Sequence, residues 1–202
     1  IQLAERWRLP DDVRVVMLPG RLTRWKGHAV LIDAIARLNY KSRIRCIIVG
    51  SDQGRTRYVR ELEKQIARQN LQHTVHIAGD CRDMPAAFML ADVVVSTSVE
   101  AEAFGRVIAE AQSMGRPVIA TDHGAARETV AHNQTGWLVP PGDASALAEA
   151  LQEALSLEDT ARSALAGRVM ANVRADYTKE LMCDRTMSVY KEMITEKQGE
   201  SD

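Results

Sequence analysis

The chain has 202 residues, 46% of them apolar and 26% charged, with a formal net charge of -1. That size and balance fit one globular domain with a full core, and near-neutrality supplies no basic field for nucleic acid or an anionic membrane surface. Three scattered cysteines, Cys46, Cys81 and Cys183, with no Cys-x-x-Cys pair, disfavour a disulfide framework or a cysteine metal site and fit a reducing compartment. No apolar run approaches the roughly 20 residues that span a bilayer, and no signal peptide is visible. The sequence starts at Ile1 rather than Met, with Leu3, Ala4 and Trp7 already at helical spacing, and reads as a fragment of a longer chain.

The elements alternate. Val13 to Leu18 is an apolar run closed by Pro19-Gly20 and predicts a first strand. His28 to Leu38 repeats apolar residues at helical spacing. Ile44 to Val49 predicts a second buried strand, Arg57 to Asn70 a charged amphipathic helix and Thr74 to Ala78 a third strand. A short helix over Pro85 to Ala91 leads to a fourth strand, Asp92 to Ser96, and a central helix that ends at Gly115. Then come strand Pro117 to Thr121, a short helix Ala125 to Ala131, a brief strand Gly136 to Val139, and a helix Ala144 to Leu157 capped by Asp143. Two more helices, Thr160 to Arg174 and Thr178 to Glu196, precede a polar, fraying tail over Gln198 to Asp202. The expectation is therefore a single doubly wound α/β domain, with a core about 13–157 and C-terminal helices about 158–196. It has a Rossmann-like sheet of six parallel strands, helices on both faces, and a ligand crevice at the strand C-termini.

Three loops on that crevice side carry chemistry. Ser98 to Gly115 passes from a strand through Phe104-Gly105 into a helix, and Glu102 and Glu110 bracket the turn. The free N–H groups of Gly105, Arg106 and Val107 would suit phosphate there, because a helix start offers unpaired donors and the positive end of its dipole. Taken alone, the two carboxylates are better read as surface acids near a helix start, where the dipole favours them. Gly20-Arg21-Leu22-Thr23-Arg24-Trp25-Lys26-Gly27 places cations where a diphosphate could be clamped, Arg21 by its fork and Lys26 as a point charge. Gly79 to Pro85 could hold a nucleobase or be an ordinary capped connection. No dinucleotide Gly-x-Gly-x-x-Gly fingerprint, Walker loop, Gly-x-Ser-x-Gly elbow or metal-spaced histidine set is present in the sequence. His123 reads as structural or surface.

Together these motifs resemble the C-terminal, donor-binding half of a retaining glycosyltransferase of the GT-B fold, the large set called glycosyltransferase family 4 or group 1. Glu102-Ala-Phe-Gly-Arg-Val-Ile-Ala-Glu110 matches that family's Glu-x7-Glu motif, Gly20-Arg21 with Lys26-Gly27 its phosphate loop, and Gly136-Trp-Leu-Val-Pro-Pro-Gly-Asp143 a further segment before a helix. The resemblance implies transfer of a sugar from a nucleoside-diphosphate sugar such as a UDP-, GDP- or ADP-sugar, with retention. No metal or cofactor would be required. Arg21 and Lys26 would neutralise the diphosphate, Glu102 would contact the sugar, and Glu110 the ribose. Gly20, Phe104, Gly105, Arg106 and Val107 would line the donor, and Arg82 and Met84 would flank the base. It also implies an N-terminal acceptor domain absent from this chain, an inactive isolated domain, and a cytoplasmic protein with peripheral membrane contact left open. Gly124-Ala125 stands where the family often has Gly-Gly. The other readings are a non-catalytic nucleotide-binding or interaction module on the same scaffold and a related sugar-nucleotide epimerase.

Overall fold

A computed structural model describes residues 2–199, with side chains described as far as residue 195. Ile1 and the last three residues of the polar tail lie outside the described residues. Six strands form the sheet: β1 Arg14–Pro19, β2 Ile44–Val49, β3 Val75–Gly79, β4 Val93–Ser96, β5 Val118–Thr121 and β6 Trp137–Val139. Their order is β3-β2-β1-β4-β5-β6, and every pairing is parallel. Apart from the edge strand β3, the strands read as near-continuous apolar runs because both faces are covered, which is how a parallel sheet is buried.

Nine helices are described: α1 Gln2–Arg6, α2 His28–Arg37, α3 Thr56–Arg68, α4 Met84–Leu90, α5 Arg106–Ser113, α6 Ala126–Thr129, α7 Ala144–Leu155, α8 Asp159–Asp176 and α9 Lys179–Gly199. Alternation along each strand divides the core in two. Val16, Leu18, Cys46 and Ile48 face α2, α3 and α7, while Val15, Met17, Ile47 and Val49 face Trp7 behind α1, Phe88 of α4 and Ile108 of α5. The elements expected from periodicity are present with small shifts. One of them is in α6, which spans four residues where a helix to Ala131 was expected. Ala131 instead donates its N–H to Thr135 Oγ1 at 2.9 Å, so a local hydroxyl takes the backbone out of the helix.

The last two helices differ. α8 buries Leu165, Val169 and Val173 and adds a polar tie. Asn172 Nδ2 donates to Thr129 O at 3.2 Å, and buried Gln112 donates to Thr135 O at 3.2 Å. α9 instead exposes Met182, Met187, Val189, Tyr190, Met193 and Ile194, each more than half exposed. Among the described residues no helix is long and apolar enough to cross a membrane.

Candidate functional site

β1 and β4 are neighbours, yet the chain leaves β1 toward one edge of the sheet and β4 toward the other. The crevice of a doubly wound sheet lies at that switch point, outside the strand C-termini. The loops after these strands meet there. Gly27 has a φ of 71°, and a Cβ on it would lie 1.9 Å from Thr97 O, so the two loops touch backbone to backbone where only glycine fits. Val99 N–H donates to Trp25 O at 2.7 Å, and Thr97 Oγ1 donates to Lys26 O at 2.9 Å.

These bonds fix Lys26 against the Glu102 loop. Lys26 Nζ lies 2.7 Å from Glu102 Oε1, with the two side chains 13% and 18% exposed. Ser98 Oγ donates to the same carboxylate oxygen. Thr121 Oγ1 donates to Ser98 O at 2.8 Å, which ties the arrangement to β5. Beneath the loop, Gly124 packs against the Glu102 backbone: a Cβ there would lie 2.6 Å from Glu102 O. Ala125 donates its N–H to that same oxygen at 3.1 Å. Its φ of -65° and ψ of -11° are ordinary helix. The departure from Gly-Gly therefore carries no backbone penalty.

Gly105 is the N-cap of α5 at a φ of 68°, and no side chain caps that helix, so its first amides face outward. By contrast α4 and α7 are capped by the carboxylates of Asp83 and Asp143. Glu110 is half-buried one turn on and accepts from Arg106 Nη2 at 2.9 Å and Nε at 3.2 Å. Phe104 is 48% exposed and meets Tyr177 edge-on at 6.0 Å between ring centroids. Arg21 is exposed and has no carboxylate partner among the described residues, whereas Gly20 is held to Val49 O at 2.8 Å.

The structure thus brings Lys26, Glu102, Gly105, Arg106, Val107 and Glu110 onto two adjoining loops and one helix start. Arg82 and Met84 lie elsewhere along the same edge, after β3, which is the outermost strand. Met84 packs on the core and Arg82 is exposed. Two groups carry more than sequence reasoning assigned. Ser98, which lies in no Gly-x-Ser-x-Gly elbow, is a hydrogen-bond donor to Glu102. His123 has both ring nitrogens buried without a protein partner, beside a cavity of about 10 Å³ that Ser98, Glu102 and Gly105 also line. Larger hollows lie away from this chemistry, one of about 540 Å³ at the opposite strand ends around Tyr40 and Gln152. The carboxylates and cations favour the shallow crevice as the site. Among the described residues no group of three or more His, Cys, Asp or Glu is placed to hold a metal.

His28 opens α2 behind this site and is fully buried, 3.4 Å from Tyr58 Oη through Nδ1. Burial, with a smaller contribution from the Lys26 charge, lowers its pKa from 6.5 to about 4, against an opposing hydrogen bond with the Thr23 backbone.

A parallel sheet in this order, with a cation and a carboxylate joined at its switch point, defines a doubly wound α/β domain with a charged crevice. The sequence profile of the family described as "Glycosyl transferases group 1" matches residues 2–166, and the chain belongs to that family. It is 35% identical over 174 residues to a D-inositol 3-phosphate glycosyltransferase of Xylanimonas cellulosilytica, a match covering 85% of this chain and 41% of that protein. A glycosyltransferase from Rickettsia africae superposes with a TM-score of 0.91 at 32% identity, over 96% of this chain and 51% of that one. Anabaena Alr3699/HepE, solved in complex with UDP and glucose, superposes with a TM-score of 0.86 at 32% identity, over 95% of this chain and 51% of that one. The chain therefore spans about half the length of the relatives it matches. Its fold is that of one lobe of their GT-B architecture, with extra C-terminal helices.

Proposed function

We propose that the chain is the donor-binding domain of a retaining glycosyltransferase of family 4. As a full-length protein it would transfer a sugar from a nucleoside-diphosphate sugar to an acceptor without an obligatory metal. The observation that carries this reading is the Lys26–Glu102 pair beside the uncapped start of α5. The amides of Gly105, Arg106 and Val107 would take the phosphates. Lys26 and Arg21 would offset the charge that grows on the diphosphate as it leaves, an electrostatic effect strongest in the transition state. Glu102, already held by Lys26 and Ser98, would accept from donor-sugar hydroxyls, and Glu110 from the ribose. Arg82 and Met84 would flank the base at the β3 end of the crevice. The UDP-glucose complex of HepE supports a nucleotide sugar as ligand.

An N-terminal domain would supply the acceptor site and the other wall of the crevice. The domain alone would bind donor and transfer little or nothing. Cytoplasmic donors would place the enzyme in the cytoplasm, with peripheral contact at the inner face of a membrane where the acceptor is a lipid. The test is a thermal-shift panel with UDP, GDP and ADP. A ligand at a hundred times its Kd adds about 2.7 kcal/mol to stability, a shift that such a panel resolves. Absence of stabilisation by all three at millimolar concentration would overturn the reading.

A further inference from the structure

We propose a second anion site, for phosphate groups, at the opposite end of the sheet from the crevice. A groove of about 600 Å³ runs between α1 and the adjoining face of β2 and β3, lined by Arg6, Arg8, Arg45, His73 and His76 around Trp7 and Gln72. That volume is within the range of ligand sites.

The sequence of β2 makes this groove unusual. Ile44–Val49 is a buried apolar strand with one charge in it, Arg45. Alternation places Arg45 on the same face as Ile47 and Val49, and its register partner Val15 belongs to that core face. His76 is the register partner of Ile47 and is exposed. A doubly wound sheet normally fills this face with apolar side chains under a helix. Here the segment after α1 covers the sheet only with Trp7, which is 6% exposed, and the sheet beyond it presents an arginine and a histidine.

The charges also lack partners. No Asp or Glu lines the groove, and among the described residues Arg6, Arg8 and Arg45 form no ion pair, in a chain with 27 carboxylates for 26 lysines and arginines. Arg45 spends one N–H on Ile44 O at 2.9 Å. Arg8 sits just beyond α1 at a φ of 51°, a left-handed conformation that non-glycine residues seldom adopt. Guanidinium forks lining a groove without carboxylates match the geometry and charge of phosphate oxygens. The recognition chemistry is the same for a soluble phosphoester and for a lipid headgroup.

The probe is tripolyphosphate, titrated into the chain carrying Arg21→Ala and Lys26→Ala, so that the crevice cations do not compete. The expected result is saturable movement of the amide NMR signals of Arg45 to Ile47 and Gln72 to His76. Arg8→Gln and Arg45→Gln should each weaken binding about tenfold, the loss of one charge-assisted bond, while Arg45→Lys retains more of it. An unchanged melting temperature for Arg8→Gln, a surface residue, separates lost binding from lost fold. Sedimentation with phosphatidylglycerol vesicles but not phosphatidylcholine, reversed by tripolyphosphate and by Arg8→Gln, assigns the phosphate to a lipid. Tripolyphosphate binding without sedimentation assigns it to a soluble ligand. No saturable shift at these residues, or shifts that Arg8→Gln leaves unaltered, overturns the proposal.

Discussion

Lys26 and Glu102 neutralise each other in a partly shielded place, so removing one leaves the other without its counter-charge. Lys26→Ala should therefore weaken nucleoside diphosphate binding by at least about tenfold while nucleoside binding changes little. Arg21→Ala, which breaks no ion pair in the described structure, should weaken the diphosphate selectively but less. Isothermal titration with UDP and uridine separates the two cases, and equal losses for both ligands would move these residues away from the phosphates. His28 makes a different prediction. Its pKa is depressed when folded, so the unfolded chain takes up a proton first as pH falls below 6.5, and stability drops until about pH 4. The loss should approach roughly 3 kcal/mol across that window. A urea series at pH 7 and pH 4.5 would show it, and His28→Gln should flatten that part of the profile.

Helix starts decide what each end of an element can do. Asp143 caps α7 through two amides at 2.9 Å, and its apolar stripe was evident from spacing alone. Asp143→Ala should cost about 1 kcal/mol in chemical denaturation and leave ligand binding unchanged. Gly27→Ala should do far more, since the added Cβ would force apart the loops after β1 and β4. The expected outcome is lost nucleotide binding together with a lower melting temperature. Strands and helices were legible because buried parallel strands read as unbroken apolar runs and helices as a 3.6-residue repeat. Glu102, Lys26 and Gly105 were legible through motif order. The bond from Ser98 to Glu102 was not, because a serine in a loop has no spacing that distinguishes a donor from a solvated hydroxyl. Nor was the Arg106–Glu110 pair singled out, although its four-residue separation on a helix was open to view.

The molecule as a whole divides at the end of α8. That helix closes the core through Leu165, Val169 and Val173, each worth roughly 1.5–3 kcal/mol when buried, and through the Asn172 tie. Truncation before α8 should therefore unfold or strongly destabilise the domain. Truncation after Thr178 should leave the melting temperature nearly unchanged, because the apolar side chains of α9 are exposed. Differential scanning calorimetry of the two truncations checks both. The central pairing of the sheet has a kinetic consequence as well. β1 is joined to β4 as well as to its neighbour in sequence, β2, and the bond from Arg14 to Asp92 closes a separation of 78 residues. The loop that must close is long before any contact at the switch point rewards it, so folding should be slow for a domain of this size. During synthesis β1 would wait, paired only with β2, until β4 had emerged, and the crevice could not exist before then.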